Sequence, residues 1–110
     1  MADFVMQRWD LDPVPYPQAP LHIHDGGDEG FVVLGGELDV TLDREVRRLS
    51  EGEFVIVPAG TAHTFATVGE TPASILVTMT PQIEALVREL HQVSDEERPL
   101  VWARYDSRPV

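Results

Sequence analysis

The residues with the clearest capacity for chemistry are three histidines and a glutamate in the first two thirds of the chain. His22 and His24 are separated by one residue, Glu29 follows shortly after them, and His63 comes later. On an extended strand, side chains two positions apart project from the same face, so His22 and His24 should point together. Three imidazoles and one carboxylate that converge inside a small protein form a ligand set for a divalent transition metal.

The elements around these residues are expected to direct them into one interior. Glu29 opens the apolar run 31–34, so it should enter the same interior from the next strand. Pro58 and Gly60 lie in a turn before His63, where proline stiffens the backbone and glycine permits a positive φ. The sequence therefore predicts that this turn leads into a further strand, from which His63 reaches the histidine pair.

The composition narrows the classes of function. A chain of 110 residues is expected to form a single domain, 1–110, and the absence of cysteine excludes disulfides, thiolate metal sites and a cysteine nucleophile. The formal net charge of −11 would repel phosphate backbones, so no nucleic-acid partner is expected. No apolar run approaches the roughly 20 residues of a membrane span, and the first residues lack the features of a signal peptide. No membrane association and a cytoplasmic location are therefore expected.

Short strands separated by turns dominate the first 80 residues. About eight are predicted, at 4–9, 21–24, 29–34, 37–42, 45–49, 54–57, 61–68 and 73–80. Strands repeated at intervals of about 8–12 residues are typical of a barrel or a sandwich. The segment 12–20 contains four prolines and should be an extended connection rather than a helix.

The last 30 residues have a different pattern. Thr80 can cap a helix that has Pro81 in its first turn and runs to about residue 92, with an apolar stripe along one side. Ser94 could cap a second helix, which Pro99 would end after about one turn. The role of the tail after it, which carries Trp102 and Tyr105, stays open between docking on the barrel and docking on a second subunit.

Two motifs with fixed spacing make the chain similar to the cupin family. The first motif has a His-x-His pair, a glutamate and a glycine, here at His22, His24, Glu29 and Gly36. The second has a glycine, Pro-x-Gly, a histidine and often an asparagine, here at Gly52, Pro58, Gly60, His63 and Thr67. Thr67 replaces the asparagine, at a position that is not a metal ligand in the family.

The resemblance implies an all-β double-stranded β-helix, a jelly-roll barrel of two facing antiparallel sheets, with a C-terminal α-helix. The barrel would occupy about 1–80, and the helix and tail 81–110. The metal would be one divalent Fe, Mn, Ni, Co, Cu or Zn ion, held by His22, His24, Glu29 and His63. The family also implies a homodimer.

A substrate pocket is expected beside this metal. Phe31 and Val33 share strand parity with Glu29, and Phe65 shares it with His63, so all three should point into the barrel. They are interpreted, with Thr67, as pocket residues, while packing of the core is the alternative for the apolar ones.

The leading hypothesis for the function is a dioxygenase that acts on a small phenolic or enolisable substrate, because the chain resembles quercetin-dioxygenase-like and polyketide-tailoring cupins. Three neutral imidazoles, one carboxylate and a divalent ion carry a single positive charge, which favours an anionic ligand such as an enolate or a phenolate. Glu29 is the candidate catalytic base. Two alternatives stay open: a redox-neutral isomerase, cyclase or decarboxylase that uses the metal as a Lewis acid, and a small-ligand-binding cupin without turnover.

Overall fold

The computed structural model describes residues 3–110. Nine strands and two helices occur within this range, and the first two residues of the predicted barrel segment lie outside it. The strands are β1 Val5–Leu11, β2 His22–His24, β3 Glu29–Gly35, β4 Leu38–Leu42, β5 Glu45–Leu49, β6 Phe54–Val57, β7 His63–Thr67, β8 Ala73–Met79 and β9 Ser107–Pro109. The helices are α1 Pro81–Leu90 and α2 Arg98–Arg104.

The strands form two antiparallel sheets that face each other. One sheet has the order β1-β8-β3-β6 and the other the order β5-β4-β7-β2-β9. Successive strands cross from one sheet to the other at every connection except the β4–β5 hairpin, as in a double-stranded β-helix. The predicted all-β fold with a C-terminal helix is therefore confirmed.

The barrel core lies between the inner faces of the two sheets. Strand β8 illustrates the reason, because its burial alternates strictly: Ala73, Ile75, Val77 and Met79 are buried, and the residues between them are partly exposed. This period of two is what a strand with one solvated face requires. The inward residues of both sheets belong to one apolar cluster, which fixes the strand register and hence the direction of each site residue.

Two strand boundaries differ from the prediction by two residues because of pairing, and the other boundaries differ by at most one. Strand β1 continues to Leu11 rather than residue 9, since it pairs with β8 along its whole length, from Val5 opposite Met79 to Leu11 opposite Ala73. Strand β7 begins at His63 rather than residue 61, because Thr61 still belongs to the preceding turn, where its N–H donates to the carbonyl of Pro58.

The C-terminal segment departs furthest from the prediction. Helix α1 has the expected cap, in which the Ile83 N–H donates to Thr80 Oγ1 (3.2 Å), and it ends at Leu90, two residues early. The second helix does not start near Ser94. It begins at Arg98 with Pro99 in its first turn, the position where a missing N–H costs nothing.

The strand β9 was not predicted. It follows α2 directly and pairs with β2 as the edge of the second sheet. Trp102 of α2 is buried against Leu86 of α1 within the same chain. The C-terminal segment therefore docks on its own barrel.

Candidate metal centre

The three histidines come from adjacent strands of one sheet. His22 and His24 are the two ends of the short strand β2, and His22 is the direct cross-strand partner of His63 on β7. Glu29 is the first residue of β3 in the facing sheet. All four side chains are buried, with relative exposures between 1% and 5%.

The four groups converge on one small volume. The candidate ligand atoms of His22, His24 and His63 all lie within 4.8 Å of one another. Glu29 faces two of them across the barrel: its Oε1 lies 3.4 Å from His63 Nε2 and its Oε2 lies 3.7 Å from His24 Nε2. The structure thus brings together a histidine triad with one carboxylate beside it.

The Nδ1 atoms of two of these histidines are held by backbone neighbours. His22 Nδ1 lies 2.6 Å from the Pro20 carbonyl oxygen, and His63 Nδ1 lies 2.9 Å from the Thr61 carbonyl oxygen. A carbonyl oxygen can only accept, so Nδ1 carries a proton in both rings, and in the neutral ring Nε2 then keeps its lone pair. This is the tautomer that a metal ligand requires.

The Nε2 of His63 is a buried nitrogen atom with no hydrogen-bond partner among the residues that the structure describes. An unsatisfied buried polar atom is costly, and native structures rarely leave one without a reason. Because the Nε2 atoms of His22 and His24 face the same volume, a cation bound by the triad would satisfy all three lone pairs. The residues present therefore fit a divalent transition metal.

Burial keeps the imidazoles of His22 and His24 neutral. It lowers the pKa of His22 to about 4, helped by the nearby His63, and lowers the pKa of His24 to about 3, helped by His22 and His63. Desolvation disfavours the charged form, and like charges add to the penalty. Both rings are therefore unprotonated at neutral pH and have lone pairs available for a metal.

Local backbone features hold the ligand-bearing loops in place. The positive φ predicted at Gly60 is present, at 84°. The same turn is tied to the first motif, since the Gly60 N–H donates to the His24 carbonyl (2.9 Å) and the Ala59 N–H donates to Asp28 Oδ1 (2.8 Å). These bonds link the loop before His63 to the strand and loop around His24.

The glycine pair after His24, Gly26 and Gly27, allows its loop to pack closely against a helix. Neither Gly26 nor Gly27 has a positive φ, so a sharp return of the chain is not what requires them. A Cβ at Gly27 would lie 2.6 Å from Thr80 Cγ2, at the start of α1. The absence of a side chain lets this loop pack directly against the helix N-terminus.

A cavity of about 890 Å³ opens onto the centre. His22, His24 and Glu29 line it together with the aromatic residues Trp9, Phe65 and Trp102. Residues of β1, α1 and α2 complete its walls. The cavity size falls within the range of small-molecule sites, and the mixture of apolar walls with a few convergent polar groups is typical of them.

The structure brings only one of the four predicted pocket residues to this cavity. Phe65 lines it, whereas Phe31 and Val33 are fully buried in the barrel core behind the site, and Phe31 packs on Phe65 with ring centroids 5.0 Å apart. The alternation of side chains along a strand correctly predicted that both residues point into the barrel. It does not predict whether they lie at the open end or in the centre. The assignment of Phe31 and Val33 to the pocket is therefore corrected.

Thr67 lies outside the cavity as well. It is four residues beyond His63 along β7, a distance of about 13 Å at roughly 3.3 Å per residue. Its Oγ1 accepts a hydrogen bond from the Val14 N–H (3.3 Å), and it lines a separate depression near Tyr16. Its assignment to the substrate pocket is corrected too, because the second motif extends away from the candidate metal ligands.

Two residues of the C-terminal segment contact the centre and were not predicted to do so. Ser107 Oγ lies 2.7 Å from His24 Nδ1, and the Trp102 ring lies 5.1 Å from the ring of His22, measured between centroids. No local pattern marks Ser107, which stands in a three-residue strand without alternation. Only the pairing of β9 with β2 brings it to the site.

The comparisons with known proteins agree with this geometry. A family model described as "Cupin domain" matches residues 13–79, more than half of the chain. The chain belongs to the cupin family. Within the part of this cupin that the structure describes, no helix is long and apolar enough to cross a membrane.

One curated relative is similar to part of this cupin. "Quercetin 2,3-dioxygenase" of Bacillus subtilis (strain 168) is 46% identical over 46 residues, which cover 42% of this chain and 14% of that protein. The chain thus matches only a small share of the relative's length.

Solved structures share the fold. The TT1209 protein of Thermus thermophilus has a TM-score of 0.63 and 29% identity, covering 71% of this chain and 72% of that chain. A sugar phosphate isomerase from a cupin superfamily of Silicibacter pomeroyi DSS-3 has a TM-score of 0.63 and 27% identity, covering 73% of this chain and 52% of that chain.

Proposed function

We propose that this cupin is a metal-dependent dioxygenase that acts on a small phenolic or enolisable substrate. The observation that carries the proposal is the triad of buried histidines, two of which line an aromatic cavity, with Glu29 beside them. The partial likeness to a quercetin 2,3-dioxygenase supports the oxygenase class.

The histidines and Glu29 would have different roles in the reaction. His22, His24 and His63 would hold the ion, with Glu29 as a fourth ligand. A bound transition metal would supply Lewis acidity and, for redox-active ions such as iron or copper, one-electron chemistry. Glu29, once released from the ion, would take the proton of a phenol or an enol, since its carboxylate lines the cavity beside His24 and His63.

The cavity walls would orient the substrate and limit access of water. Trp9, Phe65 and Trp102 present aromatic surfaces against which a flat, conjugated ring can stack. The deprotonated oxygen of such a ring would then face the histidine triad. An anionic form is favoured there because a divalent ion would outweigh the single carboxylate.

A second candidate is redox-neutral chemistry in the same site, as an isomerase, cyclase or decarboxylase. The likeness to the Silicibacter pomeroyi sugar phosphate isomerase supports this alternative. In that case a bound metal would supply Lewis acidity alone, Glu29 would move a proton between neighbouring carbons of the substrate, and no oxygen would be consumed.

Elemental analysis and oxygen uptake test these proposals. Protein purified without chelator and without an affinity-tag metal column should contain about one transition metal ion per chain. Oxygen uptake with candidate flavonols, phenols and β-diketones should depend on that metal and stop in the His63→Ala variant. Turnover of a sugar phosphate or diketone under anaerobic conditions, with Zn²⁺ as the ion, would instead favour the redox-neutral enzyme. Saturable binding of these ligands without turnover under either condition would contradict both enzyme proposals.

We also propose that the protein forms a homodimer through the outer face of the sheet that contains β6. Phe54 and Ile56 on this edge strand are 66% and 56% exposed, and the register places Phe54 beside Val32 on the same outer face. Two copies of a chain with a net charge of −11 repel each other, so self-association would come from burying this apolar surface rather than from pairing of opposite charges. Light scattering should give twice the monomer mass, and a Phe54→Glu variant should be monomeric; a monomeric native protein would contradict the dimer.

A further inference from the structure

The strand that carries two of the histidines is held mainly by the C-terminal segment. Strand β2 has only three residues and pairs with β7 at the single position His22–His63. On its other side it pairs with β9 at all three positions, His22 with Pro109, Ile23 with Arg108 and His24 with Ser107. Two further backbone bonds extend this contact, from the Asp25 N–H to the Asp106 carbonyl and from the Val110 N–H to the Leu21 carbonyl.

His24 differs from the other two histidines in the partner of its Nδ1. His22 and His63 face backbone carbonyls within two residues of themselves, whereas His24 faces the hydroxyl of Ser107, 83 residues later in the chain. A hydroxyl can donate or accept, so it does not fix the tautomer of a histidine by itself. The bonding of Ser107 therefore decides which nitrogen of His24 carries the proton.

The second hydrogen bond of Ser107 resolves this choice. Its Oγ lies 3.2 Å from the Tyr105 carbonyl oxygen, to which it donates its only proton. The same oxygen must then accept from His24 Nδ1–H at 2.7 Å. With its proton on Nδ1, His24 directs the lone pair of Nε2 toward the triad.

We propose that Ser107 is a positioning residue of the metal centre, and that through it the C-terminal segment sets the tautomer and ring orientation of His24. The hydrogen-bond chain runs from the Tyr105 carbonyl through Ser107 to His24. Ser107 is 4% exposed, so water does not readily replace its hydroxyl. The inference rests on the proposed function of His24 as a metal ligand, because only a ligand needs a free Nε2.

The first arm of the test needs no metal. Long-range ¹H–¹⁵N NMR of the metal-free protein at neutral pH distinguishes protonated from unprotonated ring nitrogens. We expect His24 to carry its proton on Nδ1 in the native protein, and to shift toward the Nε2–H form in Ser107→Ala, which removes the acceptor. A native His24 with its proton on Nε2 would overturn the inference, whether or not any variant folds.

The second arm measures metal affinity with Co²⁺ and Zn²⁺ as probes. Loss of a residue that orients a metal-bound histidine typically weakens binding by about 10–100-fold, and we expect this for Ser107→Ala. Ser107→Thr keeps the hydroxyl in a strand position that accepts β-branched residues, so it should restore affinity to within about threefold of the native value. Ser74→Ala is the matched control, because it removes a strand hydroxyl bonded to Asp10 on the exposed face of the other sheet.

The outcomes separate this inference from the metal proposal itself. Equal affinities for native protein and Ser107→Ala would overturn the positioning role, and so would a loss of affinity in Ser107→Ala that Ser107→Thr does not restore. Failure of the native protein to bind either ion would overturn the metal function. The NMR arm would then still decide whether Ser107 fixes the His24 tautomer.

Discussion

The metal-free protein should lose stability as the pH falls from about 6.5 to about 4, because two buried histidines resist protonation in the folded state. Burial holds the pKa of His22 at about 4 in the folded chain, against an ordinary value of 6.5. Between these values the unfolded chain binds more protons than the folded one, so each step toward acid favours unfolding. The part of the unfolding free energy that depends on a neutral His22 is fully present above pH 6.5 and is lost once the pH reaches about 4.

The size of the effect follows from the same values. The interval from 6.5 to about 4 corresponds to roughly 3 kcal/mol for His22, at about 1.4 kcal/mol per pKa unit. His24, whose pKa falls to about 3, acts in the same direction, although the two rings repel each other and their effects do not simply add. For a domain of this size, a loss of about 3 kcal/mol lowers the melting temperature by roughly 10–20 °C.

Thermal melts by circular dichroism at several pH values between 7 and 4.5, on protein treated with a chelator, measure this dependence. A His22→Gln variant removes one titrating ring and should show a shallower decline than the native chain. His91→Gln is the matched control, because His91 lies exposed after the end of α1 and should leave the native slope unchanged. A melting temperature that stays constant over this range, or an identical slope in His22→Gln, would refute the reasoning.

Three further predictions concern the ligands and the core. His63→Ala should lose most of its bound metal while the barrel stays folded, as judged by elemental analysis and circular dichroism, whereas His91→Ala should keep it; full metal content in His63→Ala would exclude His63 as a ligand. Glu29→Gln should weaken metal binding less than His63→Ala but strongly reduce turnover, and an unchanged kcat would rule out Glu29 as the base. Phe31→Ala should destabilise the protein by about 3–5 kcal/mol in urea unfolding, because Phe31 is fully buried between the sheets; a change under about 1 kcal/mol would show that the core relaxes around the gap.

The sequence alone predicted that the histidines and Glu29 point into one interior, and it predicted most of the barrel, because both follow from the order of residues along the strands. The His-x-His spacing and the alternation of strands are properties of neighbouring residues, so they can be read without the fold. The same holds for the positive φ at Gly60 and for the capped start of α1 at Thr80. The family resemblance then supplied what local patterns do not contain, namely that the separate strands close into one barrel.

The tertiary structure alone decided what surrounds the ligands. Strand parity predicts which side chains point inward, but depth along the barrel depends on how strands from both sheets are staggered, so only Phe65 of the predicted pocket residues reaches the cavity. The contact between Ser107 and His24 joins positions 83 residues apart through a three-residue strand that carries no pattern of its own. A short edge strand is determined by the partner it pairs with rather than by its own residues. This is the physical reason why the contribution of Ser107 to the site could not be predicted from the sequence.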